Sequence, residues 1–528
     1  MKTQQPTKCP SGIEINQDFL DAFEAIEKTD ASIFITGRAG TGKSTFLKYV
    51  RDHTKKNRVV LASTGVAAVN VQGQTIHSFF RFKPDITVDL IPDIYIHPSM
   101  QNIYRHLELL IIDEVSMVRA DLMDCIDYFL RLYGPSSALP FGGVQLILFG
   151  DLYQLAPVVR QNEKNIFSRH YKSPYFFDAK SMAKVKLDFF EFEINYRQED
   201  DRFRKILNNI RTNSITRGDI DAINERVRAD FEPNSKDFHI YLTTTNKLAD
   251  AINYEKLHQL TEELWELEAV KHGDIVMKQL PTHDMLELKI GAQVIMLNND
   301  SENRWINGSV GKIVDIFDST YNNKTIVVKL ASGEKVEVER FTWELFNFYY
   351  DEDSDVIESE VIGSFKQFPI KLAWAVTIHK SQGKTFDNVI IDIGRGTFCH
   401  GQLYVALSRC RTIDGMVLKR PISDRDVIMD RRIAEFFTNY HYQKSLRDWP
   451  EERKKAFIEQ AIQDDQDIKI VYLKENTKRN TRKIKPYHLR SIEYQDKVCL
   501  GLEAYCYERD SNWIFRLPCI IDMTIVES

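Results

Sequence analysis

Residues 37–44 read GRAGTGKS and fit G-x-x-x-x-G-K-[ST], a loop that closes around phosphate. The run before it, Ser32-Ile33-Phe34-Ile35-Thr36, is short and rich in β-formers, and residues 45–50 (TFLKYV) after it predict the start of a helix. Strand, glycine loop and helix in that order is the setting such a loop requires, and a chance glycine turn would not need both flanks. Gly37, Ala39, Gly40, Thr41 and Gly42 supply backbone that can turn its N–H groups toward phosphate oxygens. The helix N-terminus at Lys43, Ser44 and Thr45 adds positive potential. Lys43 is placed to reach the β- and γ-phosphates, and Ser44 to ligate Mg²⁺. This stretch predicts a nucleoside triphosphate site on an α/β core, and leaves open what the energy is used for.

The organisation of the chain agrees with such a core. Apolar runs at 32–36, 59–63, 109–112 and 144–149 read as strands buried on both faces, with helical stretches at 14–30, 45–54 and 121–133. That alternation predicts a parallel sheet over residues 1–185. Residues 81–98 hold Pro84, Pro92 and Pro98 without a clear period, so a loop-like insertion is expected there. A second α/β domain is expected over 186–271 and 366–440, interrupted by a small all-β module at 272–365. Residues 441–468 read as a helical connection, and 469–528 as short strands again. The acidic run at 351–360 (DEDSDVIESE) and the basic run at 474–485 (KENTKRNTRKIK) read as solvated loops.

Composition narrows the class. At 528 residues the chain has room for three or four domains. The seven cysteines form no C-x-x-C pair, so neither zinc nor a disulfide framework is indicated, and a reducing cytoplasm is the expected compartment. The sequence shows neither a secretory signal nor a membrane span. A net charge of −6 counts against binding nucleic acid over the whole surface, but a local basic groove is enough for it.

Leu109-Leu110-Ile111-Ile112-Asp113-Glu114 has the Walker B form, a buried strand that delivers carboxylates to its end. Asp113 would hold Mg²⁺, and Glu114 would take a proton from the attacking water. Gly150-Asp151-Leu152-Tyr153-Gln154 follows the next strand, which places Gln154 near the γ-phosphate, where it can orient that water. Arg197 in NYRQ and Arg409 in YVALSR are candidates for arginine fingers, although an arginine taken alone is more often a surface ion pair.

Taken together, GRAGTGKST, STGVAAVNVQGQTIHSFF, LLIIDEVSMV, FGGVQLILFGDLYQLAPV, NYRQ, LTTTN, IGAQVIMLNND, WAVTIHKSQGKTFDNVIIDI and GQLYVALSRC resemble, in order, a Pif-one-type DNA helicase, a RecD-like member of helicase superfamily one, subgroup B. The resemblance spans residues 30 to about 420. It implies two RecA-like P-loop domains with parallel sheets and ATP with Mg²⁺ between them. Arg197, Gln382, Gly383 and Arg409 would come from the second domain. It also implies single-stranded DNA crossing both domains, held by Thr64, Gly65, His77, Ser78, Phe79, Thr245, Asn246, His379 and Lys380, with Phe79 able to stack on bases. The insertion at 81–98 would serve as a wedge and the β module, a small β-barrel, as a clamp.

Two departures stand out. The family's Leu-Asn-x-x-Gln before the P-loop, whose glutamine reads adenine, is not kept: Asn16 is followed by Phe19 at the matching spacing. Ala156 stands where proline is common.

Residues 469–528 resemble a WYL domain, a Sm-like β-barrel, through Ile470-Val471-Tyr472, Arg482, Pro486-Tyr487-His488-Leu489 and Phe515-Arg516-Leu517. Val498-Cys499-Leu500 replaces the naming tripeptide. Arg482 and Arg516 are the candidate ligand contacts. The expected function is a monomeric motor on single-stranded DNA that opens forked or tailed duplexes, and the resemblance to Pif-one-type helicases implies 5′-to-3′ travel. The alternative is a nucleotide-dependent DNA-binding switch.

Overall fold

The computed structural model describes residues 16–38, 40–159, 163–194, 200–234, 237–273, 280–319, 323–394, 396–473, 479–494 and 497–526. It divides into two compact units, Met1–Met429 and Asp430–Ser528.

The first unit begins with β1 (Ser32–Gly37), β2 (Arg58–Ala62), β3 (Gln74–Thr75), β4 (Leu109–Asp113), β5 (Gln145–Phe149) and β6 (Leu187–Phe192). They form one sheet in the order β3-β2-β4-β5-β1-β6, parallel throughout. The central strands β1 and β5 are buried along their whole length, as their unbroken apolar runs require. Helix Lys43–His53, after the glycine loop, anchors itself through Phe46, whose ring lies 4.9 Å from Phe19 and 5.3 Å from Phe192. Phe46→Ala would remove about 3–5 kcal/mol of packing here. Because β6 pairs with β1, the first domain extends past residue 185, where the second domain was expected to begin.

Residues 81–98 are not a free loop. They hold a 3₁₀ turn, Val88–Asp93, and lead into helix Pro98–Arg105, with Ile91, Ile96 and Ile103 buried. Proline sits well at a helix start, where its missing N–H costs nothing.

The second sheet starts with β7 (Ile240–Thr243). The chain then leaves it for β8 (Trp265–Glu268), β9 (Val270–Gly273), β10 (Met285–Leu288), β11 (Gln293–Met296), β12 (Val310–Ser319), β13 (Asn323–Leu330), β14 (Lys335–Val338), β15 (Phe341–Asp351), β16 (Val356–Gln367) and β17 (Ile370–Leu372). It returns as β18 (Ala375–Thr377), β19 (Val389–Asp392) and β20 (Met416–Leu418), giving a parallel sheet β18-β7-β19-β20. The β module therefore runs from β8 to β17, wider than 272–365 at both ends. Its strands pair antiparallel as β14-β13-β12-β11-β17, β10-β8 and β15-β16-β9.

The acidic run expected as a solvated loop forms the turn and returning strand of the long β15–β16 hairpin. This hairpin reaches the first domain. The Asn57 side chain donates to the Asp355 carbonyl (3.0 Å) and accepts from the Ile357 N–H (3.0 Å), while Gln74 Nε2 donates to the Phe346 carbonyl (2.7 Å). His106 stacks on Tyr350, ring centres 3.9 Å apart.

The second unit packs helices Arg431–Asp448 and Glu451–Gln463 with β21 (Ile468–Leu473), β22 (Arg479–Tyr494), β23 (Lys497–Cys506), β24 (Ser511–Arg516) and β25 (Ile520–Ile525). The strands form an antiparallel sheet, β24-β23-β22-β21-β25. Ile458 and Ala461 share one core with Ile468, Ile484, Leu502 and Phe515. The stretch at 441–468 is thus part of this unit rather than a connection to it. Part of the expected basic loop is strand: Lys483 and Lys485 lie on β22 and pair with Asp467 (3.0 Å) and Asp465 (2.9 Å).

Candidate active site

Parallel strands carry their functional groups on the turns beyond their C-terminal ends. Here the turns after β1, β4 and β5 meet. Gly40 and Gly42 have φ of 87° and 82°, which glycine adopts without steric cost. Gly42 caps helix Lys43–His53 with no side chain bonded to its first turn, and that turn holds no acid. The N–H groups at Lys43, Ser44 and Thr45 thus open toward an anion. Lys43 Nζ donates to the carbonyls of Gly37 (2.7 Å) and Arg38 (2.8 Å), so the ammonium lies over the loop it is expected to serve. Thr41 is buried and its hydroxyl donates to the Arg38 carbonyl (3.0 Å), which holds the loop's curve. Ala39 lies outside the described residues.

Asp113 and Glu114 end β4. Glu114 has φ of 50°, a left-handed conformation rare for a residue with a side chain. Its N–H donates to Asp113 Oδ1 (2.9 Å). Burial raises the pKa of both carboxyls above the usual carboxylate range; the charge of Asp113 raises Glu114 further, and Lys43 opposes the rise in each. A carboxyl with raised proton affinity suits a general base. The Ser44 hydroxyl and Asp113 carboxylate are hard oxygen donors of the kind that bind Mg²⁺ alongside substrate phosphates and water. Among the described residues no cluster of three or more His, Cys, Asp or Glu is placed to hold a metal ion.

Two residues expected from the second domain meet this wall. Gln382 Nε2 donates to Glu114 Oε2 (3.1 Å). Arg409 lies close enough to Glu114 to lower its proton affinity. The Arg409 guanidinium is fully buried and donates to the carbonyls of Val405 (2.9 Å), Ser381 (3.3 Å) and Lys384 (3.0 Å). Gly383 is exposed with φ of 78° on the turn that carries Gln382. Gln154 is buried and donates to Asp151 Oδ2 (3.3 Å). Arg197 lies outside the described residues.

The candidate DNA contacts sit at the same edge of both sheets. Thr64 follows β2 and caps helix Gly65–Asn70, its hydroxyl accepting from the Ala67 N–H (3.3 Å). Thr245 follows β7 and caps helix Asn246–His258 in the same way, through the Leu248 N–H (3.4 Å). Thr64, Ser78, Thr245, Asn246 and Lys380 are exposed, Gly65 partly so. His77 and His379 are half-buried, and burial lowers their proton affinity below the usual histidine range, which leaves neutral imidazoles at neutral pH.

Phe79 differs from its expected role. It is 1% exposed, and its ring packs edge-on against Phe80 (4.9 Å) and Tyr104 (5.2 Å), so it offers no face to a base. Its position on the inner side of the short helix Ile76–Phe79 accounts for this.

In the C-terminal unit, Arg516 hydrogen-bonds to Tyr472 of β21, and Arg482 of β22 stands opposite Ile470 of β21. Residues not singled out from the sequence also belong to the site's surroundings: Asp151, Arg211, His400 and Gly401. The signal for Arg211 was an arginine on the apolar face of a helix that also carries Phe203, Leu207 and Ile210.

Comparison with known proteins supplies a family. A model of the PIF1-like helicase matches residues 14–223, and one of the UvrD-like helicase C-terminal domain matches residues 372–412. The chain is 30% identical over 439 residues to ATP-dependent DNA helicase Pif1 of Bdellovibrio bacteriovorus, covering 81% of this chain and 92% of that protein. It is 30% identical to human ATP-dependent DNA helicase PIF1 and spans 62% of that longer protein. Among solved structures, Bacteroides sp. Pif1 in complex with ADP-AlF4 is 36% identical, with a TM-score of 0.74 over 81% of this chain and 97% of that one. The Bacteroides protein bound to ssDNA superposes with a TM-score of 0.58.

Proposed function

Because the chain belongs to the PIF1-like helicase family, we propose that it is an ATP-dependent DNA helicase that moves 5′-to-3′ along single-stranded DNA and separates the duplex ahead of it. The hydrogen bond from Gln382 to Glu114 carries this reading. Gln382 sits on the turn after β18 with His379 and Lys380, so one turn touches both the hydrolytic carboxylate and the edge that would hold DNA.

The glycine-loop amides and Lys43 hold the phosphates of ATP. Ser44 and Asp113 would hold Mg²⁺, whose charge would offset that of the phosphates. Glu114 takes the proton of the attacking water while Gln154 orients that water. Arg409 comes from the second domain to offset charge on the transferred phosphoryl group, a role the family resemblance also gives Arg197. The firmest part of the recognition is phosphate, since no glutamine stands at the adenine-reading position.

Two grips alternate on the strand: Thr64, Gly65, His77 and Ser78 on the first sheet, and Thr245, Asn246, His379 and Lys380 on the second. Hydroxyls, helix N-termini and a cation hold a phosphate chain without reading its sequence. Breaking one base-pair step costs roughly 1.4 kcal/mol, several-fold less than ATP hydrolysis supplies. Both walls of the cleft lie in the unit Met1–Met429, which supports a motor that works as one chain. No helix of the described residues is long and apolar enough to cross a membrane. The C-terminal unit fits a WYL-like domain in which Arg482 and Arg516, grouped around β21, take an anionic ligand or nucleic acid.

The test is strand separation on duplexes that carry a single-stranded tail at one end. A 5′-tailed or forked duplex should be opened and a 3′-tailed one left intact. Opening of the 3′-tailed duplex alone would reverse the polarity, and opening of neither with ATP hydrolysis intact would leave a switch.

A further inference from the structure

We propose that Arg211 is a positioning residue for ATP hydrolysis: from the second domain it holds Asp151, and through Asp151 the amide of Gln154. The proposal rests on the helicase reading above and names a coupling element within that site. Arg211 ends helix Asp201–Arg211, whose Phe203, Ile206 and Ile210 belong to the second domain's core. It is 5% exposed, on the face where an apolar residue would be expected. A guanidinium there needs charge to compensate it. It finds Asp151 at 3.3 Å, Glu191 at 3.8 Å and the face of Tyr153, 4.3 Å from the ring centre.

Asp151 is 1% exposed and divides its oxygens. Oδ1 accepts from Arg211 Nη2 (3.3 Å) and from the Tyr153 N–H (3.1 Å), while Oδ2 accepts from Gln154 Nε2 (3.3 Å). One carboxylate thus joins the second domain's arginine to the glutamine proposed to orient the attacking water. The same loop is held at a second point. His400 shares a hydrogen bond with the Leu152 carbonyl (2.9 Å), and Gly401 lies so close that a Cβ there would come within 2.2 Å of the Gln154 carbonyl oxygen. Gly401 starts helix Gln402–Leu407, which leads to Arg409. The loop after β5 is therefore tied to the second domain by a buried ion pair and by a backbone contact on the way to the finger candidate. Arg211 Nε has no hydrogen-bond partner, so its hold on the loop runs through Nη2 on Asp151 and the ring of Tyr153.

The experiment is a double-mutant cycle in the full chain with Arg211→Met, Asp151→Asn and the two combined. DNA-stimulated ATP turnover is read beside amide hydrogen exchange of residues 150–158 in nucleotide-free protein. Arg211→Met should lower kcat about tenfold or more while KM for ATP shifts less than about threefold. The double variant should be no slower than the slower single variant, and exchange in the loop should quicken in Arg211→Met. Arg211→Lys keeps a buried cation and should restore part of kcat, which separates positioning from simple loss of fold. Multiplying effects of the two substitutions, or loop exchange unchanged in Arg211→Met, would overturn the proposal. If wild-type protein shows no DNA stimulation, the helicase reading fails, and the exchange measurement still decides whether Arg211 holds the loop.

Discussion

In the six-stranded sheet the nucleotide groups stand directly on strand ends: the glycine loop after β1, Asp113 and Glu114 after β4, Asp151 and Gln154 after β5. In the four-stranded sheet the corresponding groups are borrowed. Gln382 comes from a turn that also carries DNA-contact candidates, and Arg409 sits with its guanidinium bonded to carbonyls of its own domain. Both sheets place a threonine-capped helix at the edge proposed to hold DNA, Thr64 in one and Thr245 in the other. The difference lies in the nucleotide side. One wall stands on the strand ends of a single sheet. The other is assembled from side chains of the second sheet, and Gln382 already reaches across to Glu114, which makes it the wall able to sense closure.

The largest effect should come from the fixed wall. Lys43→Ala should bring ATP turnover to background, measured as phosphate release at saturating ATP; retained turnover would mean the wall does not depend on its cation. Next, Glu114→Gln should cost about 10²- to 10⁴-fold in hydrolysis while ATP binding persists, since it removes a base and leaves the loop intact. Turnover near that of the unchanged protein would show that another group takes the proton.

On the borrowed wall, Gln382→Ala removes one hydrogen bond across the cleft and should slow turnover about five- to tenfold, the scale of about 1 kcal/mol. It should also weaken the response to DNA more than it weakens basal hydrolysis. Equal loss in both would mean that Gln382 does not link the two sites. The smallest effects should come from the caps. Thr64→Val and Thr245→Val each lose a helix cap and should each lower single-stranded DNA affinity by about two- to threefold, the low end of what a cap contributes. A large imbalance in a binding titration would show that only one sheet holds the strand.

The fixed wall was legible in the sequence because its chemistry is local. A glycine loop between a strand and a helix, and a carboxylate pair ending an apolar run, each carry their own context within a few residues. Gln382 and Arg409 were legible only through the order of several motifs, since neither has a local pattern that separates it from a surface residue. Arg211 and Asp151 were missed as a pair because they sit far apart along the chain and meet only through folding. Phe79 was misread because its short helix turns it inward, and four residues are too few to show which face is buried. Domain limits slipped for the same reason: β6 pairs with β1 across most of the first domain, and β17 pairs with β11 across the hairpin, distances that periodicity cannot see.

The most direct measurement is ATP turnover by the full chain with and without single-stranded DNA. If the fixed wall waits for a second wall that DNA helps to bring in, adding DNA should raise kcat by at least about tenfold. Equal turnover with and without DNA would contradict the account, because the cleft would then hydrolyse ATP without reference to the strand it is proposed to move along.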